Sequence, residues 1–321
     1  GDGEFGPTGD QDIIKCGSFV PSQTWQSVID IGFEPQWIMY KKATGAGEWN
    51  IVDSMRGVVS GAADPLLVAN SSAAEVGYVD SFSLHANGFE QTFSSVDTNT
   101  YIYIAIRRPT AVPESATDVF GISYAQDENT VPFPVDFMLT KANGVDYTKA
   151  RDRLRGGTKY LLTSTTHADL SGTDIGFDDM TGTGLTGWGT SFIHYNWKRA
   201  PKYMDVVAYT GDGTTSRYVN HNLEVIPELV MIKRRSSTGA WWVDHDGAGA
   251  GKVVYLYRTN AAFSYTAFGT HTSTQIQLET VAHNDTNNSG STYIAYLFAT
   301  LAGISKVGSV THSGTTNVDC G

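Results

Sequence analysis

"PELVMIKRRSSTGAWWVDHDG", residues 227–247, contains the pattern that decides the fold. A proline precedes four apolar residues that end at Lys233, a turn of Ser, Thr and Gly follows, and a second apolar segment begins at the tandem Trp241 and Trp242. Two apolar segments around a Gly-containing turn predict a β-hairpin. The tandem tryptophans are either a binding platform or part of the core of a β-domain.

The same pattern occurs three times along the chain. Its relatives are "PQWIMYKKATGAGEWNIVDSMRG" at 35–57 and "PVDFMLTKANGVDYTKARDRLRG" at 134–156. A second element follows each copy, as "YIYIAIRRP", "FIHYNWKRAP" and "YIAYLFATLAG". The period of roughly 90 to 100 residues is too long for a solenoid unit and suits a small autonomous domain. The sequence therefore predicts three diverged tandem repeats.

The repeat pattern predicts where the domains begin and end. Repeat 1 is assigned to 1–109 with an N-terminal extension, repeat 2 to 118–201 and repeat 3 to 203–303, with proline-containing linkers between them. The tail at 304–321 resembles the start of a further repeat, because its last three residues align with 30–32. We expect this tail to begin another copy in a longer polypeptide or to complete the sheet of another module.

Composition predicts an all-β protein. The chain of 321 residues has 34 glycines, 40% hydrophobic residues and 12% aromatic residues, with many Thr, Ser, Val and Tyr, which favour strands and tight turns. Each repeat contains about six candidate strands whose two faces are both apolar, as expected for a sheet covered on both sides. The predicted fold is a tandem array of small antiparallel β-sandwiches of jelly-roll or lectin-like type.

Charge and cysteine content exclude several functions. The net charge of −11 and the pI of about 5.1 oppose an electrostatic grip on nucleic acid. No apolar window is long enough for a membrane span, and no leader pattern is present, so membrane insertion is not expected. The two cysteines, Cys16 and Cys320, provide no disulfide framework and no metal knuckle.

The tryptophans can be placed by aligning the predicted turns. Trp49 then falls on Trp241, and the recurrence of apolar residues on this strand face predicts that it is the core side. Trp242 falls on Asn50 and points to the opposite face, beside Asp244. We therefore predict Trp242, Asp244 and Asn50 as ligand-binding residues, with Trp242 either stacking on a sugar or packing on an adjacent module.

Catalytic and metal-binding patterns are not found. The chain has no HExxH or GxSxG motif, and "DHD" at 244–246 is typical of a solvated loop. The glycine-rich 210–215 is interpreted as a hairpin turn, and 283–290 as a polar loop with Ca²⁺ binding as the alternative. Acids in the repeated hairpins, such as Asp53 and Asp152, are expected to pair with nearby arginines. No catalytic residue, metal or cofactor is predicted.

Several of these features together resemble a repeated β-domain of tailed-bacteriophage tail and virion proteins. They are Y-T-G-D-G at 209–213, H-N-L…P-E-L-V-M-I-K-R at 221–234, S-T-G-A-W at 237–241 and T-Y-I-A-Y-L-F-A at 292–299. The likeness is clearest in repeat 3 and weakest in repeat 2, where Thr148 replaces the first Trp. It brings no catalytic residues to this chain.

The resemblance implies a non-enzymatic virion structural protein on the surface of the particle, in a tail fibre, tail tip or host-attachment structure. Its partners would be other virion proteins, further copies of the chain in a homo-oligomer such as a trimer, and host surface glycans bound weakly. A capsid decoration protein, a glycan-depolymerising tailspike enzyme and a bacterial surface adhesin or fibril subunit are the alternatives.

Overall fold

A computed structural model describes residues 13–21, 28–58, 64–78, 82–91, 97–124, 128–144, 146–173, 175–184, 192–279, 286–312 and 314–320. The described residues form 25 β-strands and three short 3₁₀ turns, without an α-helix. The turns are Ala116–Asp118, Arg153–Arg155 and Asp246–Ala248. No helix in the described part of the chain has the length and apolar character that crossing a membrane requires.

By packing, the chain falls into two compact units. Unit 1 contains Gly1–Pro109 together with Arg153–Gly156, and unit 2 contains Thr110–Asp152 and Gly157–Gly321. Unit 2 therefore includes nearly all of repeat 2 and the whole of repeat 3.

Three six-stranded antiparallel sheets share one strand order. In each sheet the first strand of the repeat pairs with its last strand, and the last strand also pairs with the strand that follows the repeated proline, called here the Pro-started strand. The next three strands along the chain then continue the sheet in chain order. In repeat 1 the order is β1(Ile14–Phe19), β9(Tyr101–Arg107), β3(Pro35–Lys42), β4(Asn50–Asp53), β5(Asp64–Val68), β6(Val76–Tyr78). In repeat 2 it is β10(Phe120–Tyr124), β17(Phe192–Trp197), β12(Phe137–Ala142), β13(Lys149–Asp152), β14(Lys159–Leu162), β15(Leu170–Ser171). In repeat 3 it is β18(Met204–Thr210), β25(Thr292–Phe298), β20(Leu229–Arg234), β21(Trp241–His245), β22(Lys252–Tyr255), β23(Phe263–Ser264).

A smaller second sheet accompanies each large one. These sheets are β2(Val28–Asp30), β8(Gly88–Gln91) and β7(Phe82–His85); β11(Glu128–Thr130) and β16(Gly182–Gly184); and β19(Arg217–Asn220) and β24(Gln275–Leu278). In repeat 3, Ile276 and Leu278 of the small sheet share one buried cluster with Val230 and Leu297 of the large sheet. Burying apolar faces between two layers is the main stabilising force of such a domain. The all-β, multi-sandwich prediction is confirmed.

Strand register makes the three hairpins directly comparable. Lys41, Lys141 and Lys233 lie opposite Ile102, Ile193 and Ile294 respectively. On the other side of each Pro-started strand, Tyr40 pairs with Asn50, Thr140 with Lys149 and Ile232 with Trp242. Asn50, Lys149 and Trp242 are therefore structurally equivalent, and so are the residues next to them.

The sequence predicts that the strand face of Trp241 is the inner side of the sandwich, and this prediction is wrong. Trp242 pairs with Ile232, whose side chain belongs to the inner core of repeat 3, whereas Trp241 faces the other side of the sheet. Both indoles are buried, with exposed fractions of 1% for Trp241 and 2% for Trp242. Because both faces of this sheet are covered, apolar character alone did not distinguish the inner face from the outer one.

The outer faces of repeats 2 and 3 pack on each other. The ring centroids of Phe137 and Tyr296 lie 4.3 Å apart, and Trp197 meets Phe298 edge-on at 6.4 Å. Trp241 also stacks near Tyr296, at 6.2 Å. Rings at these separations bury large areas and attract each other through their quadrupoles. Repeats 2 and 3 therefore share a continuous aromatic core.

Polar bonds reinforce this shared core. The Tyr296 hydroxyl donates to Asp152 Oδ2 at 2.7 Å, and Arg235 Nε lies 2.9 Å from Asp169 Oδ2. Lys233 Nζ, fully buried, donates to the carbonyl oxygen of Thr166 at 3.2 Å. Buried charges are tolerated only when such partners replace water, so these bonds fix one orientation of the two repeats.

Arg199 joins the end of repeat 2 to the start of repeat 3. Its backbone N–H donates to Asp136 Oδ2 at 2.7 Å, and its side chain lies 3.8 Å from Asp136 Oδ1 and 3.7 Å from Asp205 Oδ1. Its Nη1 also donates to the Val206 carbonyl at 3.3 Å. The guanidinium is 1% exposed, so the joint is a buried charged contact.

Repeat 2 has an unusually polar inner sheet face. Thr140, His194 and Asn196 occupy positions that are Ile232, Ala295 and Leu297 in repeat 3, and all three are fully buried. The Asn196 amide exchanges two hydrogen bonds with the Asn129 amide, at 2.6 and 2.9 Å. Burial, helped by the charge of Arg151, lowers the pKa of His194 to about 4, so this imidazole is neutral at pH 7.

The tail contains no strand among residues 306–312 and 314–320. Leu301 and Ser305 form an isolated antiparallel bridge that closes repeat 3, and the following residues run over the surface with Val310 and Val318 exposed. The strand that the sequence predicts here stays a prediction.

Candidate functional site

The three predicted ligand-binding residues are divided between the two units. Asn50 lies in unit 1, where its side-chain nitrogen donates weakly to the Glu48 carbonyl at 3.4 Å, whereas Trp242 and Asp244 lie in unit 2. Asn50 and Trp242 are equivalent positions of two repeats, so the alignment grouped residues that belong to different units.

Trp242 is buried, so of its two predicted roles the structure does not fit an exposed platform that stacks on a sugar. It lies in a cluster with Ala240, Val253 and Ala267, all of them buried. Its neighbour on the same strand face, Asp244, is partly exposed and has the His271 Nε2 atom 3.2 Å from its Oδ2. His271 Nδ1 accepts the Gln277 backbone N–H at 3.1 Å, so Nε2 is the nitrogen that can face the carboxylate. Asp244 and His271 thus form one pair beside the cluster.

Above Trp242 lies an aromatic cluster, defined here as Trp242, Tyr255, Tyr257, Phe263 and Tyr265. Trp242 stacks on Tyr265 at 4.6 Å with an interplanar angle of 15°, and it contacts the Tyr255 ring at 4.9 Å with the two planes tilted by 58°. Tyr255 in turn meets Phe263 at 5.0 Å and Tyr257 at 5.3 Å. Trp242 is the buried base of the cluster, while the other four rings are only half-buried.

One cation accompanies these rings. The exposed Arg258 places its guanidinium carbon 4.9 Å from the centre of the Tyr257 ring and 5.3 Å from that of Tyr255. At these distances the negative ring faces attract the cation, by about 0.5–1 kcal/mol at an exposed site. Arg258 is therefore held against the cluster while it stays exposed.

The cluster is specific to repeat 3. Because Asn50 pairs with Val68 as Trp242 pairs with Tyr255, the stretch "YLYRTNAAFSY" at 255–265 is equivalent to "VANSSAAEVGY" at 68–78. In repeat 2, Lys149 pairs with Leu162, and the equivalent stretch is "LTSTTHADLSG" at 162–172. The other repeats form the same strands without most of these rings. The excess of Tyr and Phe in this stretch was the sequence signal that could have identified the site.

The glycine-rich 210–215 is not a hairpin turn. It follows β18 of the large sheet and leads to β19 of the small sheet, so it crosses between the two layers. Asp212 Oδ1 accepts from the Asn287 side chain at 2.9 Å, and Asn287 Oδ1 accepts from Arg217 Nη1 at 2.9 Å. Asn287 is fully buried. These bonds hold the two loops together, which is a structural role.

Metal binding has no support in the described part of the chain. Of the loop 283–290, residues 283–285 lie outside the described residues, and the Asn287 oxygen is already occupied by a donor. No group of three or more His, Cys, Asp or Glu side chains suited to a metal ion occurs among the described residues. Asp53 pairs with Arg56 at 2.6 Å, as expected. Asp152 receives the Tyr296 hydroxyl, and its pairing with an arginine stays a prediction.

The fold and the cluster define the class of protein: an all-β protein of tandem sandwich repeats with one repeat-specific aromatic surface. Residues 13–109 and 200–321, more than half of the chain, match the family described as Domain of unknown function (DUF7483), and the chain belongs to that family. The unmatched middle contains repeat 2, whose inner sheet face is polar. No curated protein and no solved structure matches the chain.

Proposed function

We propose that the chain is a non-enzymatic structural component of a tailed-phage virion, located in a tail fibre, tail tip or other host-attachment structure. The observation that carries this proposal is the shared core of repeats 2 and 3. Phe137, Tyr296 and Trp241 join two β-sandwiches into one body without a flexible joint between them. Extended virion parts need such stiffness, because they transmit load over many domains.

The surface chemistry supports the same role. A net charge of −11 keeps an extracellular assembly soluble, and stability comes from packing because both cysteines are free and exposed. Weak contacts with host glycans would add up when many copies of the chain are displayed on one particle. Copies of the chain, other virion proteins and surface glycans are the partners that we propose.

Immunogold labelling of purified phage particles tests the proposal. Antibodies raised against the recombinant chain are expected to label the tail or its fibres in negative-stain microscopy, and mass spectrometry of the particles should find its peptides. Label on the capsid would indicate a decoration protein instead. If the chain occurs only in particle-free fractions or on bacterial surfaces, the virion proposal is wrong.

A cleavage assay tests the non-enzymatic part of the proposal. The recombinant chain is incubated with capsular polysaccharide from bacteria that the phage infects, and the polysaccharide's size distribution is followed by gel filtration. We expect no change in chain length. A progressive fall in molar mass would establish a depolymerising tailspike and overturn this part.

A further inference from the structure

We propose that the aromatic cluster of repeat 3 is a carbohydrate subsite, in which the ring of an acidic sugar stacks beside Tyr257 while Arg258 binds its carboxylate. This inference deepens the proposed attachment function and rests on it, because it names the chemical class of the ligand.

The fold does not require these side chains. At the position of Tyr257 repeat 1 has Asn70, and at the position of Arg258 it has Ser71, and the strand that precedes them pairs in the same register in both repeats. Both Leu256 and its equivalent Ala69 donate their N–H to the carbonyl of the facing Trp, at 3.3 and 2.8 Å. Since repeat 1 closes this corner with small polar residues, stability alone does not explain an aromatic and cationic set.

The form of the surface also suits a sugar ring. Tyr255, Tyr257 and Tyr265 are half-buried, so each ring is fixed by packing while part of it stays in contact with water. Rings that are already immobilised lose little conformational entropy when a ligand packs on them. Tyrosine also combines an apolar face with a hydroxyl, which matches the apolar C–H faces and polar rim of a pyranose.

The charge at this corner favours an acidic ligand. The guanidinium of Arg258 is exposed and rests between Tyr255 and Tyr257, where its planar donors can meet a carboxylate in a bidentate geometry. On a chain with a net charge of −11, a cation held against aromatic rings distinguishes this corner from the acidic surface. An acidic pyranose, such as a uronic or sialic acid residue, fits both features, whereas a neutral sugar would use only the rings.

The test is binding of the full chain to a printed array that contains neutral and acidic pyranose glycans. We expect retention on acidic glycans. The double variant Tyr257→Asn, Arg258→Ser, which installs the residues of repeat 1, should reduce this binding at least about tenfold. Arg258→Ser alone should weaken acidic glycans and leave any neutral glycan binding unchanged. Tyr218→Ser, at an exposed tyrosine of β19 outside the cluster, is the matched control and should bind like the unchanged chain.

Thermal unfolding of each variant shows whether it is folded. We expect the double variant to fold, because repeat 1 has the same two residues at the equivalent positions. If the unchanged chain binds no glycan on the array, or if the double variant binds as well as Tyr218→Ser, the subsite does not exist. Either result would leave immunogold labelling of the virion unaffected, so failure of the subsite and failure of the proposed function are distinguishable.

Discussion

The Trp241 indole Nε1–H donates to the carbonyl oxygen of Leu162 at 2.8 Å, which links repeat 3 to repeat 2 through a buried hydrogen bond. Trp49, the equivalent residue of repeat 1, instead lies on the sheet with the Lys41 ammonium 5.6 Å from its ring. The same hairpin position therefore lies in the interface between two repeats in repeat 3, whereas in repeat 1 it makes a half-buried contact with a lysine on the surface.

Removing this bond should destabilise unit 2. In Trp241→Phe the buried Leu162 carbonyl loses its donor, and the smaller ring leaves part of the space at the interface empty. We expect the free energy of unfolding to fall by about 1–3 kcal/mol. Calorimetry of the full chain measures the change, with Trp49→Phe as the matched control, which should have a smaller effect. Equal effects of the two variants would contradict the assignment of Trp241 to the interface.

The bond from Tyr296 to Asp152 should contribute separately to the same interface. Tyr296→Phe keeps the ring contact with Phe137 and removes only the hydroxyl, so a loss of about 1–3 kcal/mol is expected. Tyr195→Phe, at the equivalent position of repeat 2, should change stability little. A double-mutant cycle with Asp152→Asn measures the coupling, and a coupling energy near zero would show that the bond is not formed.

Arg199 should be among the most sensitive positions at the joint between repeats 2 and 3. In Arg199→Met the carboxylates of Asp136 and Asp205 stay buried without their shared cation, which typically costs about 3–5 kcal/mol. Limited proteolysis should then cut between the repeats faster than in the unchanged chain. Arg258→Met, at an exposed arginine, is the control, and similar proteolysis rates for both variants would argue against the joint.

Stability should fall as the pH is lowered from 6.5 towards 4. Burial lowers the pKa of His221 to about 4, as it does for His194. Because both folded-state values lie below the unfolded value of 6.5, the unfolded chain takes up protons first, and stability rises with pH across this window. Full protonation in the unfolded state would remove about 3 kcal/mol for each histidine.

Chemical denaturation at pH 7.5, 5.5 and 4.5 measures this dependence. His221→Gln should reduce the slope by roughly half, since only His194 then contributes. His312→Gln, at an exposed residue of the tail, should leave the slope unchanged. A stability that does not depend on pH between 7.5 and 4.5 would show that both histidines stay accessible to protons in the folded chain.

Much of the architecture could be predicted because its signals are local. The Pro-started strand, the Gly-containing turn and the lysine at 41, 141 and 233 repeat in sequence, and strand register then brings these positions into equivalence. The all-β class follows from the same pattern. The wrong interpretation of 210–215 had a different origin, since a glycine-rich loop has the same composition whether it joins strands of one sheet or of two.

The aromatic cluster was only partly predictable. The sequence predicts Trp242 as a ligand-binding residue, either stacking on a sugar or packing on an adjacent module. The rings above it come from 255–265, a stretch that the sequence alone does not bring to the same corner. Their excess over the equivalent stretches of repeats 1 and 2 is visible in the sequence, but the pairing of Trp242 with Tyr255 is needed to place these rings over the indole.

By itself, the sequence determined that this protein is a series of β-repeats and which residues share a strand face, because alternation with period two is a property of the extended backbone. Only the tertiary structure decided which face is inside a sandwich and which lies between two repeats. Trp241 and Trp242 are equally buried, on opposite faces of one strand. Hydrophobic burial is non-directional, so it favours covering both faces without specifying what covers each.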